Sequence, residues 1–346
     1  MTYTTKYLQR DSNMELLRIL AMLGILVVHT DFFALGAPTK EDCIESPFLS
    51  IWRFAIESAT IICVNLFVML SGWYGIRPKK KRFLEFIFQI LFYNLLFFSI
   101  FTLLTSVNTF TRSGIGLILL LDRKFWFVKA YLLLYIISPI LNAFTEKASK
   151  QQYSYILLGF FLFQTIYGWL FQSVSWFHSG YTTISFIGIY LLADYLHRHT
   201  QTGAGKFTFL SVFLLFVIIN TFTAYCSAYY FNGSFNQRLY AYNSPLVIIA
   251  SVAIFLLFTK IKFKSAFVNF VAASSFAAFL FHGNHFFADE VYVFYIKKWF
   301  TEDSIDIFSL KTTLFVLTIF IIAIIIDKVR IKIWGFISNK SKLLNN

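Results

Sequence analysis

The 346 residues are 58% hydrophobic and only 14% charged, with 45 phenylalanines and a mean hydropathy of +0.67, leaving too little polar surface to clothe a soluble globule of this length. The net charge of +13 is carried in short clusters between apolar segments, which argues against the basic face of a nucleic-acid binder and for helices oriented in a bilayer; no nucleic-acid partner is expected. Cys43, Cys63 and Cys226 lie far apart without C-x-x-C spacing, so neither a disulfide framework nor a metal site is written in the chain.

Apolar stretches of spanning length fall at about 14–33, 54–75, 83–106, 125–144, 153–171, 181–197, 207–230, 244–259, 267–287 and 310–327. The expected fold is an all-α integral membrane bundle of about ten transmembrane helices, a single membrane domain over residues 1–346 without an appended soluble domain. The first stretch is long enough to span, so it is read as a retained helix and not as a signal peptide, whose cleavage would discard its polar residues. The ninth is interrupted near its outer end by Gly283 and by His282, Asn284 and His285, which suggests a broken or re-entrant helix. With the N-terminus inside, 20 of the 30 Lys and Arg residues fall on the inner side, including Lys6, Arg10, Arg18, the Arg77–Arg82 run, and Lys328, Arg330, Lys332, Lys340 and Lys342. The acidic groups Glu41, Asp42, Glu45 and Glu302, Asp303, Asp306 fall outside, as do the 108–124 and 288–309 loops. Such asymmetry places both termini in the cytoplasm.

Arg18 and His29 lie inside the first span, where an ionisable side chain costs ~2.5–3.5 kcal/mol on insertion scales. Eleven positions at ~100° per residue bring them to nearly one helix face, ~16 Å apart along the axis, so that both can line one cavity. For His29 two readings compete, a structural histidine bonded within the bundle and a functional group; its imidazole suits general-base work because its ordinary pKa of ~6.5 lies near neutrality. Arg18 fits either a bound phosphate or simple snorkelling to the inner interface. Glu57 and Asp194 are acids in apolar segments, and Glu57 could orient a base or bind a hydroxyl.

The Arg18-x10-His29 spacing resembles the first transmembrane helix of the membrane-bound acyltransferase-3 family. Further stretches are similar to that family in order: Asn65 to Trp73, ending in the Ser71-Gly72-aromatic corner; Trp126-Phe127-Val128-Lys129-Ala130-Tyr131 with Tyr135 and Ser138-Pro139-Ile140-Leu141-Asn142; and Ser274 to His282. The likeness covers residues 14 to about 327 and is closest to the compact members among bacterial capsule and exopolysaccharide enzymes.

That resemblance implies an O-acetyltransferase of the bacterial plasma membrane with no bound cofactor. Its donor substrate would be acetyl-CoA and its acceptor a cell-surface glycan or lipid-linked glycan, with membrane lipid as its surroundings. It implies His29 as the catalytic residue and Arg18, Arg77 and Arg82 as acyl-CoA-binding, although five bases in the six positions Arg77–Arg82 blur which ones correspond and their topogenic role is expected in any case. Trp126, Tyr131, Tyr135 and His282, with Glu57, are candidates for lining the site; ordinary packing is the competing reading for the aromatics, and an outer-interface position for His282. Ser71-Gly72 is expected to let two helices approach closely. Whether His29 acts as a base for direct transfer or carries the acyl group itself stays open. A glycan or lipid transporter and a non-catalytic relative acting in a polysaccharide assembly complex are the alternative functions.

Overall fold

The structure, a computed structural model, describes residues 10–104, 116, 118–120, 125–200 and 203–340. Lys6, Lys342 and most of the 108–124 loop lie outside the described residues. The described chain is helical, with no strand.

Every one of the ten expected segments carries a helix, but not every helix has spanning length. Seven are long and apolar enough to cross a membrane, or eight if one bent pair forms a single span. The segment expected at 181–197 is a helix of 17 residues (Thr183–His199) and that at 244–259 one of 15 residues (Pro245–Thr259). At 1.5 Å per residue the latter is only ~22 Å long, against a hydrocarbon core of ~30 Å. The broken segment is present as expected: Ala266–His282 and His285–Glu302 meet at 60° around Gly283.

The chain forms two compact units. The first contains Met1–Arg77 and Ala130–Asn269. Its helices are α1 (Ser12–Thr30), α2 (Pro47–Thr60), α3 (Cys63–Tyr74), α5 (Trp126–Lys147, from Ala130 onward), α6 (Lys150–Phe163), α7 (Thr183–His199), α8 (Lys206–Phe231) and α9 (Pro245–Thr259). Between α3 and α5 in the chain, α4 (Lys80–Leu104) belongs to the second unit. In the first unit α3 sits centrally, packed on α1, α7 and α9, while α8 packs on α2 and α9.

Local chemistry sets these boundaries. Pro47 and Pro245 begin α2 and α9, where the missing N–H removes no helical bond. Ser149 starts α6 through a capping box with Gln152. Pro139 inside α5 cannot donate to the Tyr135 carbonyl four residues back, and the Ser138 hydroxyl does so instead at 2.8 Å. The Ser-Pro pair therefore keeps the helix continuous. The close approach expected at Ser71-Gly72 is found: a methyl group on Gly72 would collide with the Tyr190 backbone carbonyl of α7.

The second unit contains Pro78–Lys129 and Phe270–Asn346. It holds α4, α11 (Phe276–His282), α12 (Phe294–Glu302) and α13 (Ile305–Lys340), with the short α10 (Ala266–Ala272) ending at its edge; α11 packs on both α4 and α13. α13 runs 36 residues to Lys340, beyond residue 327 where the last expected apolar stretch ends. The reason is charge pairing: Arg330 is 3% exposed and bonds Asp327 at 2.9 Å and Glu85 of α4 at 3.5 Å, while Gln89 donates to Asp327 at 2.9 Å. Paired in this way, the charges pack inside the unit and do not end the helix. Leu310, Leu314, Leu317, Ile321 and Ile325 are exposed at spacings of three and four, one apolar face turned outward as a lipid-facing helix requires.

Candidate functional site

The site residues expected from sequence divide between the units. Arg18, His29, Glu57, Arg77, Tyr131 and Tyr135 belong to the first, Arg82, Trp126 and His282 to the second.

Within the first unit, α1 carries one charged cluster in its lower half and another at its upper end. In the lower half, Arg18 bonds Glu15 at 2.6 Å, and the same carboxylate takes Arg10 at 3.3 Å. Arg18 is thus held by a partner one turn away instead of extending freely to an interface. Around it the structure gathers two of the expected lining residues: the Tyr131 hydroxyl is within hydrogen-bond distance of Ser71 (2.9 Å) and within electrostatic reach of both Arg18 and Tyr135. Arg18, Ser71, Tyr131 and Tyr135 therefore form one polar group contributed by α1, α3 and α5.

The residue before Arg77 is clamped. After α3 the chain turns at Gly75, whose φ of +68° lies in the left-handed region that glycine adopts without strain. At Ile76 the carbonyl accepts from Asn142 of α5 at 2.7 Å and the N–H donates to the Tyr190 hydroxyl of α7 at 3.0 Å. Tyr190 in turn donates to Asn142 at 2.7 Å. Both backbone groups of Ile76 are fixed, and Arg77, which follows, is exposed. Asn142, the last residue of the Ser-Pro-Ile-Leu-Asn string, thus has a positioning role that its type alone does not reveal.

At the upper end, His29 occupies the last turn of α1, half-buried, its ring 5.0 Å from that of Phe33. Two residues on, α1 stops at Asp31, whose backbone leaves helical geometry at φ −99°, ψ −96°. Asp31 is buried and bonds Arg53 of α2 at 2.6 Å; Arg53 also donates to the Gly36 carbonyl, closing the corner between the two helices. One turn along α2, Glu57 is 2% exposed, and its Oε2 has no hydrogen-bond partner, nor does Asp31 Oδ2. A buried carboxylate oxygen without a partner is costly to desolvate. The next residue, Ser58, is tied to Tyr240, Asn220 and Thr221 at 3.1–3.3 Å, and Tyr240 stacks on Phe54 at 6.5 Å.

In the second unit His282 is 1% exposed. Its Nδ1 is 2.6 Å from the Ala278 carbonyl and its ring lies 5.4 Å from Tyr292. Trp126 is half-buried with its ring edge-on to Phe127, and Phe127 packs at 5.5 Å on Phe279 of α11. Arg82 is exposed in the first turn of α4.

Sequence reasoning overlooked Glu15 and Asp31, two acids inside the first apolar stretch. The available signal was their spacing: Glu15 is three residues before Arg18, a pairing distance on a helix, and Asp31 is two after His29. Among the described residues no group of three or more His, Cys, Asp or Glu could hold a metal ion.

Residues 11–327, nearly the whole chain, match the family model described as an acyltransferase domain. No curated protein and no solved structure shows significant similarity to the chain. The chain belongs to the acyltransferase-3 family and is an acyltransferase built on a multi-pass helical membrane fold.

Proposed function

We propose that this acyltransferase works in a bacterial plasma membrane, taking an acetyl group from cytoplasmic acetyl-CoA and passing it to a hydroxyl of a cell-surface polysaccharide or its lipid-linked precursor. The observation that carries this reading is the pairing of Arg18 and His29 on one face of α1, ~16 Å apart by helix geometry. The pantetheine arm between the diphosphate and the sulfur of coenzyme A contains twelve bonds, the backbone length of four residues, and reaches ~14 Å when extended. A donor with its phosphates near Arg18 therefore brings its thioester to the level of His29.

There the chemistry is that of a base. His29 accepts the proton of the acceptor hydroxyl as that oxygen attacks the thioester carbonyl carbon; the C–S bond breaks, coenzyme A leaves as its thiolate, and the proton held on His29 returns to the sulfur. The unpartnered oxygens of Glu57 and Asp31 suit an acceptor rich in hydroxyl donors. Arg77 and Arg82, exposed in a run of bases that this reading places on the cytoplasmic side together with both termini, would concentrate the polyanionic donor by electrostatic focusing. Tyr131 and Tyr135 would border the arm beside Arg18.

Mass analysis of surface glycans from cells with and without the gene tests the reading. Loss of acetyl esters on deletion, restored by the parental gene, is the expected result. Unchanged glycan acetylation in cells lacking the protein would remove this acceptor class.

A further inference from the structure

The foot of α1 borders a cavity that the reading above does not use. Its volume is about 520 Å³, within the ~300–1,000 Å³ of small-molecule sites, and its walls lie wholly in the first unit. They come from Asp11 and Met14 at the start of α1, Trp73 at the end of α3, and Lys262, Phe263 and Lys264 in the segment after α9. That segment is pinned to α1, since Asn13 donates to the Phe258 carbonyl at 2.9 Å and the Ser265 N–H donates to the Ser12 hydroxyl at 2.8 Å.

Each wall brings a distinct chemistry. Trp73 is held rigid, stacked on His197 at 4.3 Å and edge-on to Phe255 at 5.3 Å, so it presents a fixed aromatic surface of the kind on which bases stack. Lys264 is anchored by the Arg10 carbonyl at 3.0 Å and by Asp11 at 3.5 Å, while Lys262 is exposed. Two ammonium groups favour phosphate. Asp11, which also accepts from the Tyr74 hydroxyl at 3.1 Å, offers a carboxylate of the kind that binds ribose hydroxyls.

We propose that this cavity holds the nucleotide end of the donor, an adenosine bearing phosphates, with Lys262 and Lys264 on the phosphates and Trp73 and Phe263 beside the base. The inference rests on the coenzyme A reading above and extends it to Asp11 and the Lys262–Lys264 segment, which lie outside the family-like stretches. Its geometry is continuous with that reading: Met14 lies four residues before Arg18, one turn lower on the same face, ~6 Å along the axis. Phosphates leaving the cavity meet Arg18, and the arm continues along α1 toward His29.

The test compares two donors on the purified full chain: acetyl-CoA, and S-acetyl-pantetheine, which has the arm and thioester without the nucleotide. In the Lys262→Gln/Lys264→Gln variant the KM for acetyl-CoA should rise about tenfold, the scale of losing charge-assisted phosphate contacts, while that for S-acetyl-pantetheine stays as in the parent. Adenosine 3′,5′-bisphosphate should compete with acetyl-CoA in the parent and more weakly in the variant. Lys262→Gln alone alters an exposed side chain and should give a smaller rise of the same kind, which guards against a fold defect in the double variant. Equal KM changes for both donors, or none, overturn the assignment while leaving acetyl-CoA as donor. A KM shift that follows the anionic-lipid content of the vesicles and not the nucleotide gives the lysines to lipid headgroups and also overturns it. A parent that uses neither donor overturns the coenzyme A reading itself, and this inference with it.

Discussion

Replacing His29 by Gln separates chemistry from packing, because the two contributions differ in size. The ring is half-buried and lies 5.0 Å from Phe33; losing one such aromatic contact costs about 0.5–1.5 kcal/mol, so the variant should fold, insert and melt only a few degrees below the parent. Gln keeps a hydrogen-bonding end of similar reach and cannot take the proton. Loss of a general base lowers the rate ~10²–10⁴-fold, or about 3–5 kcal/mol of transition-state stabilisation, which exceeds the packing term. The assay is transfer of radiolabelled acetyl from acetyl-CoA to glycan acceptor by detergent-purified protein at matched, melt-verified concentrations. A His29→Gln rate within threefold of the parent, in a protein of unaltered melting, would refute the base assignment. If the parent instead accumulates label on itself when acceptor is withheld, and the variant does not, His29 carries the acyl group rather than serving as the base of direct transfer.

Neutralising Arg77 and Arg82 together should raise the KM for acetyl-CoA more than it lowers kcat, and added salt should reduce the parent's advantage in the same way; an unchanged KM leaves these bases with topology alone. Arg53→Ala removes the partner of buried Asp31 and should destabilise the protein by about 3–5 kcal/mol, whereas an Asp31→Asn/Arg53→Met double replacement should recover much of that loss, as thermal melts in detergent would show. A cysteine at Lys80 should resist a membrane-impermeant thiol reagent in intact cells while one at Thr301 reacts; the opposite pattern would invert the orientation and with it the side from which the donor enters.

Much of the fold is legible because lipid makes strict demands on sequence. Each of the ten apolar stretches is helical, the Gly283 break is where the polar trio His282, Asn284 and His285 interrupts the run, and Gly72 permits a helix contact that any side chain would block. What escaped sequence reading is charge that is paired. A hydropathy window averages over Glu15 and Asp31, and it reads Asp327 and Arg330 as the end of a span, although each of these charges has an oppositely charged partner inside the fold. The ten apolar stretches outnumber the seven or eight helices of spanning length among the described residues. Length alone cannot distinguish a full crossing from α9, whose 15 residues begin at a proline next to the buried Asn243 and Ser244. At the site, Arg18 and His29 were visible as isolated polar residues, whereas Asn142 and Tyr190 look like ordinary helix residues until their bonds to Ile76 are seen.

The two charged groups on α1 explain why His29 stands where it does. Below it, Glu15 gathers Arg10 and Arg18; above it, Asp31 and Arg53 close the corner to α2, with Glu57 one turn along. Each salt bridge reduces the cost of charge at depth by giving it a partner, and each fixes one end of the helix face on which His29 sits. Neither offsets everything, since one oxygen of Asp31 and one of Glu57 keep no partner. A purely structural corner would be better served by apolar side chains of equal volume, because replacing a buried ion pair in that way is often neutral or stabilising. Two carboxylates beside one guanidinium, two residues from an imidazole, suit the hydroxyl-rich acceptor of the proposed reading. On the reading proposed above, the upper end of α1 would receive the acceptor and its foot the donor.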